Sequence, residues 1–292
     1  MNYRVVHITE YNYSGSVGLC HNEARLKPRN LPYQTCISSH ITVSPEPLDF
    51  HERLDFFGNT ISYFSIQQPH GKLTITATSE VAISPERDLF ETGNNIPWEM
   101  VVQRLQDNRT PEILDALQYT LDSPMVESNT KLAEYAQQSL LPGVPLLQAV
   151  NNLMQRIFTD FTYDPEFSNI ATPLTDVLEH RRGVCQDFAH LAIACLRSQG
   201  LAARYVSGYI ETLPLPGKVK LVGADASHAW FSVFLPDAGW VDFDPTNNQM
   251  PMDRHITVAW GRDFNDVTPL KGIAFGGGQH KLEVSVDVKN LG

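Results

Sequence analysis

A chain of 292 residues that is 42% hydrophobic and 19% charged can bury the core of one large or two modest globular domains. Its net charge of −11, with no basic cluster larger than Arg181-Arg182, favours solubility and argues against a nucleic-acid partner. No apolar run approaches the length of a membrane span and Met1–His7 has no apolar signal core, so a cytoplasmic protein with no membrane partner is expected.

Residues 1–90 read as a β-domain. Tyr3–Tyr11 has strand composition, Ile37–Val43 alternates, and Lys72–Ile83 is a further long strand. Between them, Phe56–Ile61 carries a Gly58-Asn59 turn flanked by apolar runs, a hairpin signal. Short strands at this spacing predict a β-sandwich-like unit. The scattered His7, His21, His40, His51 and His70 form no constellation. Cys20 and Cys36 could bridge in a secreted chain, but without a signal segment reduced thiols are expected. None of the four cysteines, at 20, 36, 185 and 195, has CxxC or zinc-ligand spacing, and no metal or organic cofactor is implied.

Ser84–Asn95, with Pro85 and Gly93, reads as a linker into a second unit, residues 91–292. Helices are expected from Pro97 to about Gln106, from Pro111, and over Asn129–Leu140. Leu146–Phe158 is the clearest amphipathic segment, with Leu146, Val150, Leu153, Met154 and Ile157 on one face. A short helix after Thr172 leads to Arg181-Arg182-Gly183. From Cys185 a roughly 15-residue helix is expected, with Phe188, Leu191, Ala192 and Cys195 as its apolar stripe and Gly200 as its stop. Cys195, flanked by apolar residues, reads as core. Strands follow at Ala202–Glu211, Lys218–Val222, Ser227–Phe234 and Trp240–Asp244, the last ended by Pro245. Helices followed by antiparallel strands make an α+β order. Gly276-Gly277-Gly278 lacks the strand–helix context of a phosphate cradle. Leu282, Val284, Val286 and Val288 alternate as a terminal strand.

Two stretches carry chemistry. Cys185 falls in the first turn of its helix, where free backbone N–H groups and the positive dipole end favour an anion such as a thiolate. In the downstream hairpin, a turn centred on Pro236 sets His228 directly opposite Asp244, close enough to interact. A nucleophile, a base and an orienting carboxylate together are the Cys–His–acid arrangement of acyl transfer. Residue spacing leaves the choice between Asp242 and Asp244 open. Gln186 and Asp187 read as bracing residues, and Trp230 as either a cleft wall or core.

The cysteine helix, Ala203–Tyr209, Ser227-His228-Ala229-Trp230 and Gly239–Thr246 together resemble the transglutaminase-like superfamily, which is distantly related in architecture to papain-type cysteine proteases. The N-terminal unit, including Arg25-Leu26-Lys27-Pro28-Arg29, resembles the β-domain that precedes the core in bacterial transglutaminase-like proteins. Gly261-Arg262-Asp263-Phe264 and Asp266-Val267 also resemble that group. The resemblance implies a papain-like/transglutaminase-like core with the cysteine helix packed on an antiparallel sheet, with Cys185 as nucleophile, His228 as base and Asp244, rather than Asp242, as orienting acid. It also implies an aromatic or amide oxyanion donor near Tyr163, beside the backbone N–H of Cys185. The expected activity is acyl transfer from an amide of a peptide or protein substrate. Hydrolysis stands first, amine transfer second, and N-acyl transfer third, since Arg182–Cys185 is similar to arylamine N-acetyltransferases. A non-catalytic binding module stands last.

Overall fold

The computed structural model describes residues 1–84, 95–212 and 227–292. The body of the expected linker and the expected strand Lys218–Val222 lie outside the described residues.

The chain opens with a 23-residue strand, β1 (Asn2–Ala24). Its side chains alternate between faces, and Tyr3, Val5, His7 and Thr9 are buried on one of them. Four strands follow: β2 (Gln34–Ser44), β3 (Asp49–Leu54), β4 (Thr60–Ile66) and β5 (His70–Ile83). They form an antiparallel sheet in the order β2-β5-β1-β4-β3. The register of β1 against β5 shifts between Asn12 and Val17, and beyond that point β4 becomes its neighbour. One strand therefore serves both halves of a curled sheet. The expected turn at Gly58-Asn59 joins β3 to β4; Gly58 takes φ +73°, and Asp55 Oδ1 accepts from the N–H groups of Phe57 and Asn59.

Helices α1 (Trp98–Asp107), α2 (Pro111–Leu117), α3 (Thr130–Gln137) and α4 (Leu146–Asp160) come next. The Thr110 and Asn129 side chains cap α2 and α3. A two-residue strand, β6 (Thr162–Tyr163), then α5 (Leu174–His180) and β7 (Arg182–Gly183) lead into α6 (Cys185–Arg197). Every residue of α6 from Asp187 to Arg197 is buried. The expected stripe is thus an incomplete description: Ala189, Ile193, Ala194 and Leu196 fill the remaining faces, as suits a helix enclosed on all sides. Against it lies a sheet of β8 (Ala203–Ile210), β9 (Ser227–Leu235), β10 (Gly239–Phe243) and β11 (His255–Gly261), in the order β10-β9-β8-β11. After a single helical turn, α7 (Phe264–Val267), the strands β12 (Leu270–Gly276) and β13 (His280–Asn290) return to the first sheet. β13 pairs with the first half of β1 and β12 with the second. The three glycines 276–278 all have positive φ and make the turn between them. Of the four alternating residues of β13, Val286 and Val288 are buried, whereas Leu282 and Val284 are about half exposed because the sheet is uncovered there.

The two parts are joined along β11, an edge strand of its sheet. Gln34 Nε2 donates to Thr257 O while Thr257 N donates to Gln34 Oε1, both at 2.8 Å. Asn59 does the same to Trp260, at 2.8 and 3.0 Å. Two side-chain amides thus imitate a further strand and satisfy an otherwise open edge. Replacing Gln34 by Ala leaves the Thr257 N–H buried and without its acceptor, while Thr257 O keeps the N–H of Arg29, and should cost about 1–3 kcal/mol of stability. Urea denaturation followed by tryptophan fluorescence measures this as a lower midpoint at unchanged slope.

Candidate active site

Gly183 and Asp187 fix where Cys185 sits. Asp187, three residues into α6, turns back so that Oδ2 accepts from Val184 N at 2.8 Å and from Ser168 Oγ at 2.5 Å. A Cβ on Gly183 would meet that carboxylate at 2.8 Å, so only glycine fits under it. Burial raises the Asp187 carboxyl above the ordinary carboxylate range, against these hydrogen bonds. Bracing, the role read for Asp187, is what these contacts do. Cys185 is then the first helical residue and half-buried, its amide among those a helix leaves without an internal partner.

The far end of α6 is clamped. Arg197 donates to the carbonyl oxygens of Tyr119, Ala203 and Arg262 and to Ser123 Oγ. His190 Nε2 accepts from Phe264 N at 3.1 Å. The Gly261–Phe264 segment, notable in sequence, thus locks the cysteine helix to β11.

His228 and Asp244 meet, but not as direct cross-strand partners. β9 and β10 pair Phe234 with Trp240 and Ser232 with Asp242, so the turn is centred one residue later than Pro236, at Asp237 with φ +72°. Continued, that register would put Trp230 opposite Asp244. The shift of two residues keeps His228 and Asp244 on one face, and they join diagonally: His228 Nε2 lies 2.8 Å from Asp244 Oδ2. Asp242 faces Ser232 and is hydrogen-bonded to its hydroxyl. Of the two acids, the structure brings Asp244 to His228.

Two partners of Asp244 escape the sequence reading. His255 Nε2 also reaches Oδ2, at 2.9 Å, and Asn247 Nδ2 reaches it at 2.7 Å. The backbone N–H groups of Thr246 and Asn247 reach Oδ1 at 3.0 and 3.2 Å. The Asp-Pro-Thr-Asn run is a turn signal that could have suggested Asn247. His255, the first residue of its strand, carries no local signal. Trp230 is fully buried with its ring against both imidazoles, so it is at once core and site wall.

Burial alone favours the neutral form of His228. The Asp244 hydrogen bond and charge, with the nearness of Cys185, outweigh that and push it up to about 10. With Nε2 given to Asp244, Nδ1 is the nitrogen left for the thiol. Burial works against the Asp244 anion too, yet the two histidines hold its carboxyl well below the usual carboxylate range. Desolvation exceeds the help His255 receives from Asp244 and shifts it below the ordinary imidazole value. His228, Asp244 and His255 bring potential metal-ligating atoms within 4.8 Å of one another. Both imidazoles, however, spend Nε2 on the same carboxylate oxygen, which is two donors on one acceptor rather than three acceptors around a cation.

Tyr163 is 53% exposed and held by β6, which runs parallel to β7 with Tyr163 beside Gly183. Burial, and then the nearness of Cys185, raise its hydroxyl above the ordinary range. Gln186 and His190 line a separate cavity of about 500 Å³ on the flank of α6.

A cysteine-bearing helix enclosed against an antiparallel sheet, preceded by a curled β-domain, defines a transglutaminase-like cysteine-protease fold. Residues 133–245 match the profile of the Transglutaminase-like superfamily, and residues 3–82 that of the bacterial transglutaminase-like N-terminal region. An uncharacterized protein of Mycobacterium tuberculosis is 44% identical over 293 residues, spanning 98% of this chain and 92% of its own. A candidate cysteine protease from Cytophaga hutchinsonii shares the fold with a TM-score of 0.77 at 19% identity, over 100% of this chain and 91% of that one. A protein-glutamine gamma-glutamyltransferase from Pseudomonas aeruginosa is 29% identical over 107 residues, covering 34% of this chain and 16% of its own. The chain belongs to the transglutaminase-like superfamily.

A histidine raised from 6.5 to about 10 adds stability that is complete below the unfolded value and lost as pH rises through the folded one. Unfolding free energy should therefore fall between about pH 7 and about pH 10, and this fall should be much smaller in Asp244→Asn. Urea titrations of both proteins across that range measure it; equal slopes would mean that His228 is neutral.

Proposed function

We propose that this chain is a cysteine peptidase or amidase, cleaving a peptide or isopeptide bond by acyl transfer through Cys185, His228 and Asp244. The observation that carries the reading is the placement of Cys185 at a helix N-terminus, near enough to His228 to shift its titration, with His228 hydrogen-bonded to the buried Asp244. The His228 imidazolium offers the sulfur a counter-charge and holds a proton ready for the leaving group. Sulfur attacks the carbonyl carbon, and the oxyanion develops toward the backbone N–H of Cys185, with the Tyr163 hydroxyl as second donor. The C–N bond breaks as His228 delivers its proton to the nitrogen, leaving a thioester. Water then attacks, His228 takes the water's proton, the C–S bond breaks and the acid leaves. Asp244 remains ionised throughout, and His255 and Asn247 keep it in place. The thiol must stay reduced, which suits the cytoplasm; Cys20, Cys36 and Cys195 are also free thiols.

The P. aeruginosa relative favours a second reading, in which an amine replaces water as acyl acceptor. A transferase must hold its amine well enough to compete with solvent, and among the described residues no side chain near Cys185 is committed to that.

Trapping the acyl-enzyme from a peptide library and reading its mass would identify the donor. With that donor, Cys185→Ala should abolish turnover. Asp244→Ala should cost about 10²–10⁴ in kcat, against less than about tenfold for Asp242→Ala. Equal losses would show that the wrong acid has been chosen. Limited iodoacetamide should label Cys185 ahead of the other three cysteines, as read by peptide mass mapping; Cys195, pushed up to about 12 by burial, should react last. With a lysine-like amine present, free acid should exceed the amide conjugate, and the reverse ratio would make the enzyme a transglutaminase.

A further inference from the structure

A stack of cations and indoles lies on the same face of the catalytic-side sheet as His228, toward its other end. The Arg29 guanidinium sits 3.5 Å from the Trp260 ring centroid. Arg204 lies 3.7 Å from Trp260 and 4.2 Å from Trp240, so indoles flank it. On β8, Arg204 pairs with Ser232 and Gly208 with His228. Four residues of strand therefore separate the stack from the histidine rung, about 13 Å.

Arg204 is only 6% exposed, and its guanidinium makes no hydrogen bond or ion pair among the described residues; its Nε is sealed with no partner. Arg29, in contrast, donates to Asn59 Oδ1 and Phe57 O. A buried charge that lacks hydrogen-bond partners is costly. Stacking satisfies only the two faces of a guanidinium, while its donors all point outward in its plane, the geometry that matches a carboxylate.

Arg204 borders a cavity of about 550 Å³, with Tyr119, Trp240 and Trp260 on the walls and Pro32 and Phe57 from the N-terminal domain. Phe56, 81% exposed, stands at its rim. Asp115, exposed and hydrogen-bonded to Gln118, also borders it. Asp242 lies near Arg204 but is engaged by Ser232 and Tyr33. Two carboxylates so close leave a field suited to a single negative charge rather than a phosphate dianion.

We infer that this interdomain cavity is a second binding site, separate from Cys185, that takes a monocarboxylate bearing a flat apolar group. The carboxylate lies in the plane of Arg204 and the apolar group packs among Tyr119, Trp240 and Phe57. That chemistry occurs in free aromatic acids and at peptide C-termini that end in an aromatic residue.

Quenching of tryptophan fluorescence and calorimetry on the intact chain test it with 3-phenylpropanoate and its amide. A pentapeptide ending in Phe, as free acid and as amide, forms the second arm, on the Cys185→Ala chain so that it is not turned over. Saturable binding of at least one acid, at least about tenfold tighter than its amide, is expected; which acid wins identifies the source. Arg204→Met should erase the acid preference. Asp115→Asn, at an exposed site that the fold does not need, should tighten the acid about two- to threefold and leave the amide unchanged. Acid and amide binding alike, or neither saturating below about 10 mM, overturns the inference.

Discussion

A single buried carboxylate organises the sheet that faces Cys185. Asp244 is fully buried and accepts from five donors: two imidazoles, one side-chain amide and two backbone N–H groups. A carboxylate out of water is tolerated only with such compensation. Because the donors come from β9, β11 and the 245–247 turn, the charge ties three segments to one point. The same bonds hold the His228 ring by its Nε2 and leave Nδ1 as the nitrogen not engaged by Asp244.

The cysteine is positioned by an independent device. α6 is held from behind by Arg197 and His190 and from the front by the turn-back of Asp187. Cys185 thus stands on an element enclosed by the core, whereas His228 and Asp244 stand on and beside a sheet whose outer edge is sealed by Gln34 and Asn59. The N-terminal domain bears no part of the candidate triad, yet it closes the edge strand on which His255 sits.

Much of this was legible from residues alone. Cys185 at the head of its helix, the strands that carry His228 and Asp244, and most helices follow from apolar periodicity, proline and glycine placement, and capping residues. The hairpin register did not, because Pro236 suggests a turn centre that the positive φ of Asp237 moves by one residue. The offset keeps side-chain parity, so His228 and Asp244 still meet. His255 and Asn247 were missed since their importance comes from a charge distant in pairing terms, not from local pattern. The exposure of Leu282 and Val284 was missed for a similar reason: alternation tells which residues share a face, not whether anything covers it.

The route of β1 has a bearing on how the chain comes to be folded. Its partners on one side are β5 and β4, made soon after it, but on the other side they are β12 and β13. During synthesis the longest strand therefore waits, one edge bare, until β12 and β13 have been made. Contacts of such long sequence separation form slowly, and an unpaired edge invites association with other chains. Closure of the sheet is thus tied to the arrival of β12 and β13, so the first strand depends for its second edge on segments made long after it.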